Sequence, residues 1–146
     1  MGQSHDKYGK KVLNTAFPSE YNEHPERIPF DPERKDAGTV TIDGIIGDDI
    51  AVEIESRASK QVRGALVDLL FHPRKKKLLV LIAMYNNAYT ETQCRVLLKW
   101  LNKDPDCKFA VVKIKGTGND NRRHLKSDAQ IVRDAVAELR APCKKT

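Results

Sequence analysis

The chain has 146 residues, 40% of them apolar or aromatic, enough for one domain with a core of its own. Lys and Arg number 26 against 20 Asp and Glu, and the net charge of +6 favours polyanionic partners. Cys94, Cys107 and Cys143 show no Cys-x-x-Cys spacing, which argues against zinc and against a disulfide framework, so a reducing cytoplasm is the default compartment. No signal peptide is recognisable, and the longest apolar run, Leu78 to Met84, is too short to span a membrane.

Residues 1–38 read as a polar, partly helical leader. Pro18, Pro25, Pro29 and Pro32 divide it into short pieces. Short helices are expected around Lys7 to Leu13 and around Ser19 to Arg27. Residues 39–141 carry the periodic segments and are expected to form the core, with 142–146 as a tail.

The core opens with two strands joined by Gly47-Asp48-Asp49. In the second strand Ile50, Val52 and Ile54 alternate with Ala51, Glu53 and Glu55, which puts both glutamates on one face. If the loop has three residues, Ile46 pairs with Ile50 and Asp43 falls opposite Glu53. A two-residue loop would send Asp43 to the other face. In the first register Asp43, Glu53 and Glu55 share a face. Like charges so placed repel unless a cation lies between them, and all-oxygen ligands suit a hard ion, Mg²⁺ or Mn²⁺.

A helix is expected from about Ser59 to His72, stopped by Pro73, with Val62, Ala65, Leu66, Leu69 and Leu70 as its buried stripe. Lys60 lies in its first turn, near enough to the end of the glutamate strand to reach back over it. Gln61 and Arg63 are placed to touch a phosphate or a carboxylate. The run Arg74-Lys75-Lys76-Lys77 reads as solvated and leads into Leu78 to Ala83, a strand buried on both faces.

Thr90-x-x-Gln93 has the form of a capping box and should open a helix to about Asn102, burying Cys94, Leu97, Leu101 and part of Trp100. Lys108 to Lys115 reads as a strand near a sheet edge. The segment Lys113 to His124 mixes glycines with Lys115, Arg122 and Arg123, a composition suited to a loop that contacts a phosphate backbone. A second capping box, Ser127 to Gln130, precedes a last helix with Ile131, Val132, Ala135, Val136 and Leu139 inward. The element order implies an α/β fold with a mixed sheet of four or more strands.

Asp43-Gly44, a turn, Val52-Glu53-Ile54-Glu55 and a helix resemble the PD-(D/E)xK nuclease superfamily, which includes many restriction endonucleases and resolvases. The resemblance covers roughly residues 39 to 85. It implies a restriction-endonuclease-like three-layer sandwich and a metal-dependent nuclease acting on the phosphodiester bonds of double-stranded DNA. Asp43 and Glu53 correspond to the two metal-binding acids. Glu55 occupies the place usually held by a lysine that helps activate water, and Lys60 on the following helix is the substitute. An acid from an early helix often completes such a site, a role for which Glu20 and Glu23 are the candidates. A chain this small rarely cuts both strands of a duplex alone, so a homodimer or a larger partner protein is expected. The departure at Glu55 keeps a second reading open: a catalytically inactive nucleic-acid-binding or assembly module with the nuclease fold.

Overall fold

The computed structural model describes residues 3–23, 27–56, 60–82, 88–118 and 123–142. A five-stranded mixed sheet lies between two helical layers, an α/β sandwich of three layers. Its strands are β1 (Tyr21–Asn22), β4 (Gly44–Ile46), β5 (Ile50–Glu55), β6 (Lys76–Ile82) and β7 (Lys108–Ile114), adjacent in that order. β1 and β4 join antiparallel, and β5, β6 and β7 run parallel. A separate ribbon pairs β2 (Arg27–Pro29) with β3 (Thr39–Thr41).

The two parallel crossovers are α2 (Lys60–Phe71) and α3 (Ala88–Leu101). Both cover one face of the sheet, where Val62, Leu66, Leu69, Cys94 and Leu98 pack on Ala51, Leu79, Leu81 and Val111. On the other face, α1 (Gln3–Ala16) and α4 (Leu125–Arg140) lie together over Ile50, Val52, Ile54, Leu78, Val80 and Ile82. β6 is buried on both sides from Leu78 to Ile82, which is why its sequence is apolar without alternation.

The leader departs from expectation. Its first helix reaches from Gln3 to Ala16 and buries Tyr8, Val12 and Leu13 in the core. Ser19 to Arg27 yields no helix among its described residues. Tyr21 instead pairs with Ile46 as part of β1, and Arg27 begins β2. Strand pairing and burial of the Tyr21 ring override the weak local preference of that stretch.

α3 also differs. It begins at Ala88, so Thr90 lies inside its first turn rather than at its cap. Leu98 takes the core position, while Leu101 and Trp100 are exposed. Cys94 and Leu98 are four apart and face the sheet together, whereas Leu101, although seven from Cys94, is the last helical residue and is half exposed. α4 likewise starts two residues before its expected box, with Asp128 inside the first turn and buried.

The basic run is only partly solvated. Lys77 is buried, and its Nζ donates to the carbonyls of Leu69, Leu70 (3.2 Å) and His72 (2.8 Å), closing the C-terminal end of α2. Burial pushes its pKa below the usual lysine value. Substituting Lys77→Met keeps the stem but removes all three bonds. Urea unfolding should show a loss of about 1–3 kcal/mol, and an unchanged midpoint would mean that water replaces the ammonium.

Candidate active site at the β4–β5 hairpin

The hairpin loop has three residues. Ile46 pairs with Ile50, Ile45 with Ala51 and Gly44 with Val52. Gly47 has φ 59°, the left-handed conformation that lets so short a loop close. Gly44 is required for a different reason: a Cβ there would lie 2.6 Å from the Asn22 carbonyl and 2.8 Å from the Tyr21 ring, because β1 crosses close by.

The paired register ends at Gly44, and Asp43, one residue beyond it, lies beside Glu53. The Asp43 N–H donates to the Val52 carbonyl (3.1 Å), and the Ile54 N–H donates to Asp43 Oδ2 (2.7 Å). The Asp43 carboxylate therefore takes the place of a ladder acceptor where the chain turns away towards β3. The Tyr21 hydroxyl donates to the Asp43 carbonyl at 3.4 Å.

Glu53 faces the α2 layer and is 8% exposed. Burial, then the charges of Asp43 and Asp68, push its pKa up to about 10. Burial also raises Asp43, against the Ile54 N–H that stabilises its charged form. The two carboxyls share a hydrogen bond, which favours the protonated form of Glu53 and the charged form of Asp43. Asp68 of α2 is raised too, by burial and then by Asp43. Asp6 of α1 raises Asp43, whereas Lys10, one turn further along the same helix, lowers it.

The structure thus brings Asp43 and Glu53 together. Glu55 lies two residues further along the same face of β5 and is half-buried. Lys60 and Gln61 are in the first turn of α2, and their side chains fall outside the described residues, as does Arg122 entirely. Arg63 is exposed on α2. Lys115 follows the C-terminal end of β7 and Arg123 precedes α4, both exposed. They stand at the same end of the parallel strands as Glu55, with β6 between β7 and β5.

Glu20 does not complete the site. It pairs with Arg140, which also holds Asp49 beside the hairpin loop, at the opposite end of β5. Glu23 remains near Tyr21, whose pKa it helps to raise after burial and Asp43. The acids that sequence reasoning missed are Asp6 and Asp68. Asp6 was hidden in a leader read as fragments. Asp68 borders the Ala65–Leu69 stripe of α2, a position that gives a half-buried acid in a folded helix.

Among the described residues no three His, Cys, Asp or Glu side chains converge as a ready metal site. Asp43 and Glu53 provide an all-oxygen pair, and Mg²⁺ is commonly held by one or two carboxylates with water and substrate phosphate completing its shell. The pair fits such an ion once Glu53 has lost its proton. No described helix is long and apolar enough to cross a membrane. No protein-family model, no curated protein and no solved structure matches the chain.

Proposed function

We propose that the protein is a metal-dependent nuclease of the PD-(D/E)xK type, hydrolysing DNA phosphodiester bonds at the Asp43–Glu53 pair. The observation that supports this reading is the meeting of Asp43 and Glu53, two carboxyls that share a hydrogen bond at the end of the β4–β5 hairpin, as the superfamily resemblance leads one to expect. Repulsion within the pair is relieved either by a proton, which burial favours on Glu53, or by a cation. Asp43 and Glu53 would hold Mg²⁺ or Mn²⁺. The ion would polarise the phosphate and lower the pKa of attacking water.

The chain's own groups serve the substrate in other ways. The Ile54 N–H keeps the Asp43 carboxylate aimed and charged. Glu55 orients water or adds a ligand, and Lys60 supplies the positive charge that the motif lacks at Glu55. Arg63, Lys115 and Arg123 offer cations to the phosphate backbone, joined by Gln61 and Arg122. The cleaving unit is a homodimer or a complex with a larger protein.

Asp43→Asn is the chosen test because the amide oxygen keeps an acceptor for the Ile54 N–H. Cleavage of plasmid DNA with Mg²⁺ or Mn²⁺ should fall by about 100-fold, as expected when a metal ligand is removed. Cleavage by a pure, folded Asp43→Asn preparation at the wild-type rate would end the nuclease assignment.

A second reading has one observation in its favour. Glu53 is almost fully buried and no third ligand converges with it among the described residues. A nuclease-fold module that binds DNA without cutting would bind equally well in EDTA and in the Glu53→Gln variant.

A further inference from the structure

α1 turns Tyr8, Val12, Leu13 and Ala16 into the core and leaves Lys7, Lys10, Lys11 and Asn14 outside it. Lys7, Lys11 and Asn14 follow one another at helical spacing, with Lys10 beside them. None of the three lysines has an ion pair among the described residues. Like charges one turn apart weaken a helix, so this grouping costs α1 stability that a bound polyanion would restore. The lysines line a groove of about 350 Å³, with Asn14 and Thr15 of α1 and with Glu23 just beyond β1.

Several contacts set this groove beside the carboxyl pair. Glu23 is two residues from Tyr21, whose hydroxyl donates to the Asp43 carbonyl at 3.4 Å. Gly9 of α1 lies against Ile54, the neighbour of Glu53 in β5, so closely that a Cβ there would come within 2.6 Å of the Ile54 side chain. Lys10 acts on Asp43 through its charge. On the other side of α1, Gly116 lies against the Tyr8 phenol, which brings the exposed Lys115 next to Lys7 and its neighbours.

The lining residues say what the groove can hold. Three ammonium groups face one carboxylate, Glu23, and Asn14 adds an amide, but there is no aromatic ring on which a base could stack. Such a surface suits phosphates rather than bases. From Lys7 to Asn14 the helix rises about 10 Å, about three nucleotide steps of a B-form strand.

We propose that the α1 groove holds the sugar-phosphate backbone of a nucleic acid and leads it to Asp43, with Lys7, Lys10 and Lys11 as its phosphate contacts. Lys115 extends the track, and Glu23 opposes it. The proposal deepens the nuclease reading and rests on it for where the strand leads, whereas binding itself needs neither metal nor cleavage.

The probe is a short fluorescein-labelled DNA duplex, followed by anisotropy in EDTA over a range of salt concentrations. Lys7→Gln, Lys10→Gln and Lys11→Gln, each verified by circular dichroism, should each reduce the slope of log affinity against log salt by about one. The triple variant should bind about tenfold more weakly or worse. Glu23→Gln should tighten binding by about threefold, because it removes the one carboxylate from the groove. Lys99→Gln on α3 and Asp106→Asn before β7 change the net charge by the same amounts elsewhere and should leave binding as it is. The proposal is overturned by wild-type salt slopes in the lysine variants or by an equal loss in Lys99→Gln. It is also overturned by a Glu23→Gln effect no larger than that of Asp106→Asn, or by capture on vesicles of anionic lipid with no binding to the duplex. Duplex binding that depends on these lysines, with no cleavage in Mg²⁺, would support the groove and end only the nuclease reading.

Discussion

Substituting Asp128→Ala should remove about 3–5 kcal/mol from the folding free energy, a large part of the ~5–15 kcal/mol of an ordinary domain. Asp128 is fully buried in the first turn of α4. Its Oδ1 accepts the Lys115 N–H (2.8 Å), and its Oδ2 accepts the Gly116 N–H (2.8 Å) and the Tyr8 hydroxyl (2.6 Å). One carboxylate thus joins α1, the exit of β7 and α4. Alanine would leave three buried or half-buried donors without their acceptor, and each such loss costs about 1–3 kcal/mol. The approach is so close that a Cβ on Gly116 would overlap the Tyr8 phenol.

Urea unfolding of Asp128→Ala, Tyr8→Phe and the double variant measures how much of the loss is shared. Coupling near zero would mean that the Tyr8 hydroxyl is not part of the network. The same carboxylate fixes the backbone at Lys115, so this variant should also weaken DNA binding if Lys115 contacts phosphate.

The second large effect is a gain. In metal-free buffer Glu53→Gln should stabilise the protein at pH 8 and leave it nearly unchanged at pH 4. Below 4.5, the pKa of a solvated glutamate, the folded and unfolded chains both carry the proton and Glu53 contributes no pH dependence. Between 4.5 and about 10 the unfolded chain releases the proton while the folded chain keeps it. Folding then takes up a proton, and stability falls as pH rises, by at most about 1.4 kcal/mol per unit. By neutrality the accumulated loss is at most about 3.4 kcal/mol. Glutamine has the shape but no proton to release, so the difference between the two proteins should widen with pH.

On the proposed reading a divalent ion would work in the opposite direction, since it would bind the ionised carboxylate and displace the proton. Mg²⁺ should therefore raise the wild-type Tm more at pH 8 than at pH 6 and should not raise that of Glu53→Gln. A Glu53→Gln gain of equal size at pH 4 and pH 8 would assign it to packing instead.

The alternation of Ile50, Val52 and Ile54 with Glu53 and Glu55, the unbroken apolar run of β6 and the α2 stripe were all legible, because each follows the period of its own element. So was the α/β class, which follows from the order of those periods. The hairpin register was legible only on condition that the loop had three residues, and Gly47 with its positive φ meets that condition. The edge position of β7 was readable from its late lysines for the same local reason.

Contacts distant in sequence were not legible. Asp6 and Asp68 reach the Asp43–Glu53 pair from helices on opposite faces of the sheet, and neither helix marks them by period. Lys77 looked like one of four solvated cations until the end of α2 closed over it. Asp128 looked like part of a capping box, whereas its partners come from Tyr8 and from the end of β7. Sequence alone determined the elements, their faces and the presence of acids on one of them. The tertiary structure decided which acids meet, how deeply Glu53 is buried and which cations lose water. Periodicity is a property of one element, whereas desolvation and charge pairing arise only where several elements close around the same few atoms.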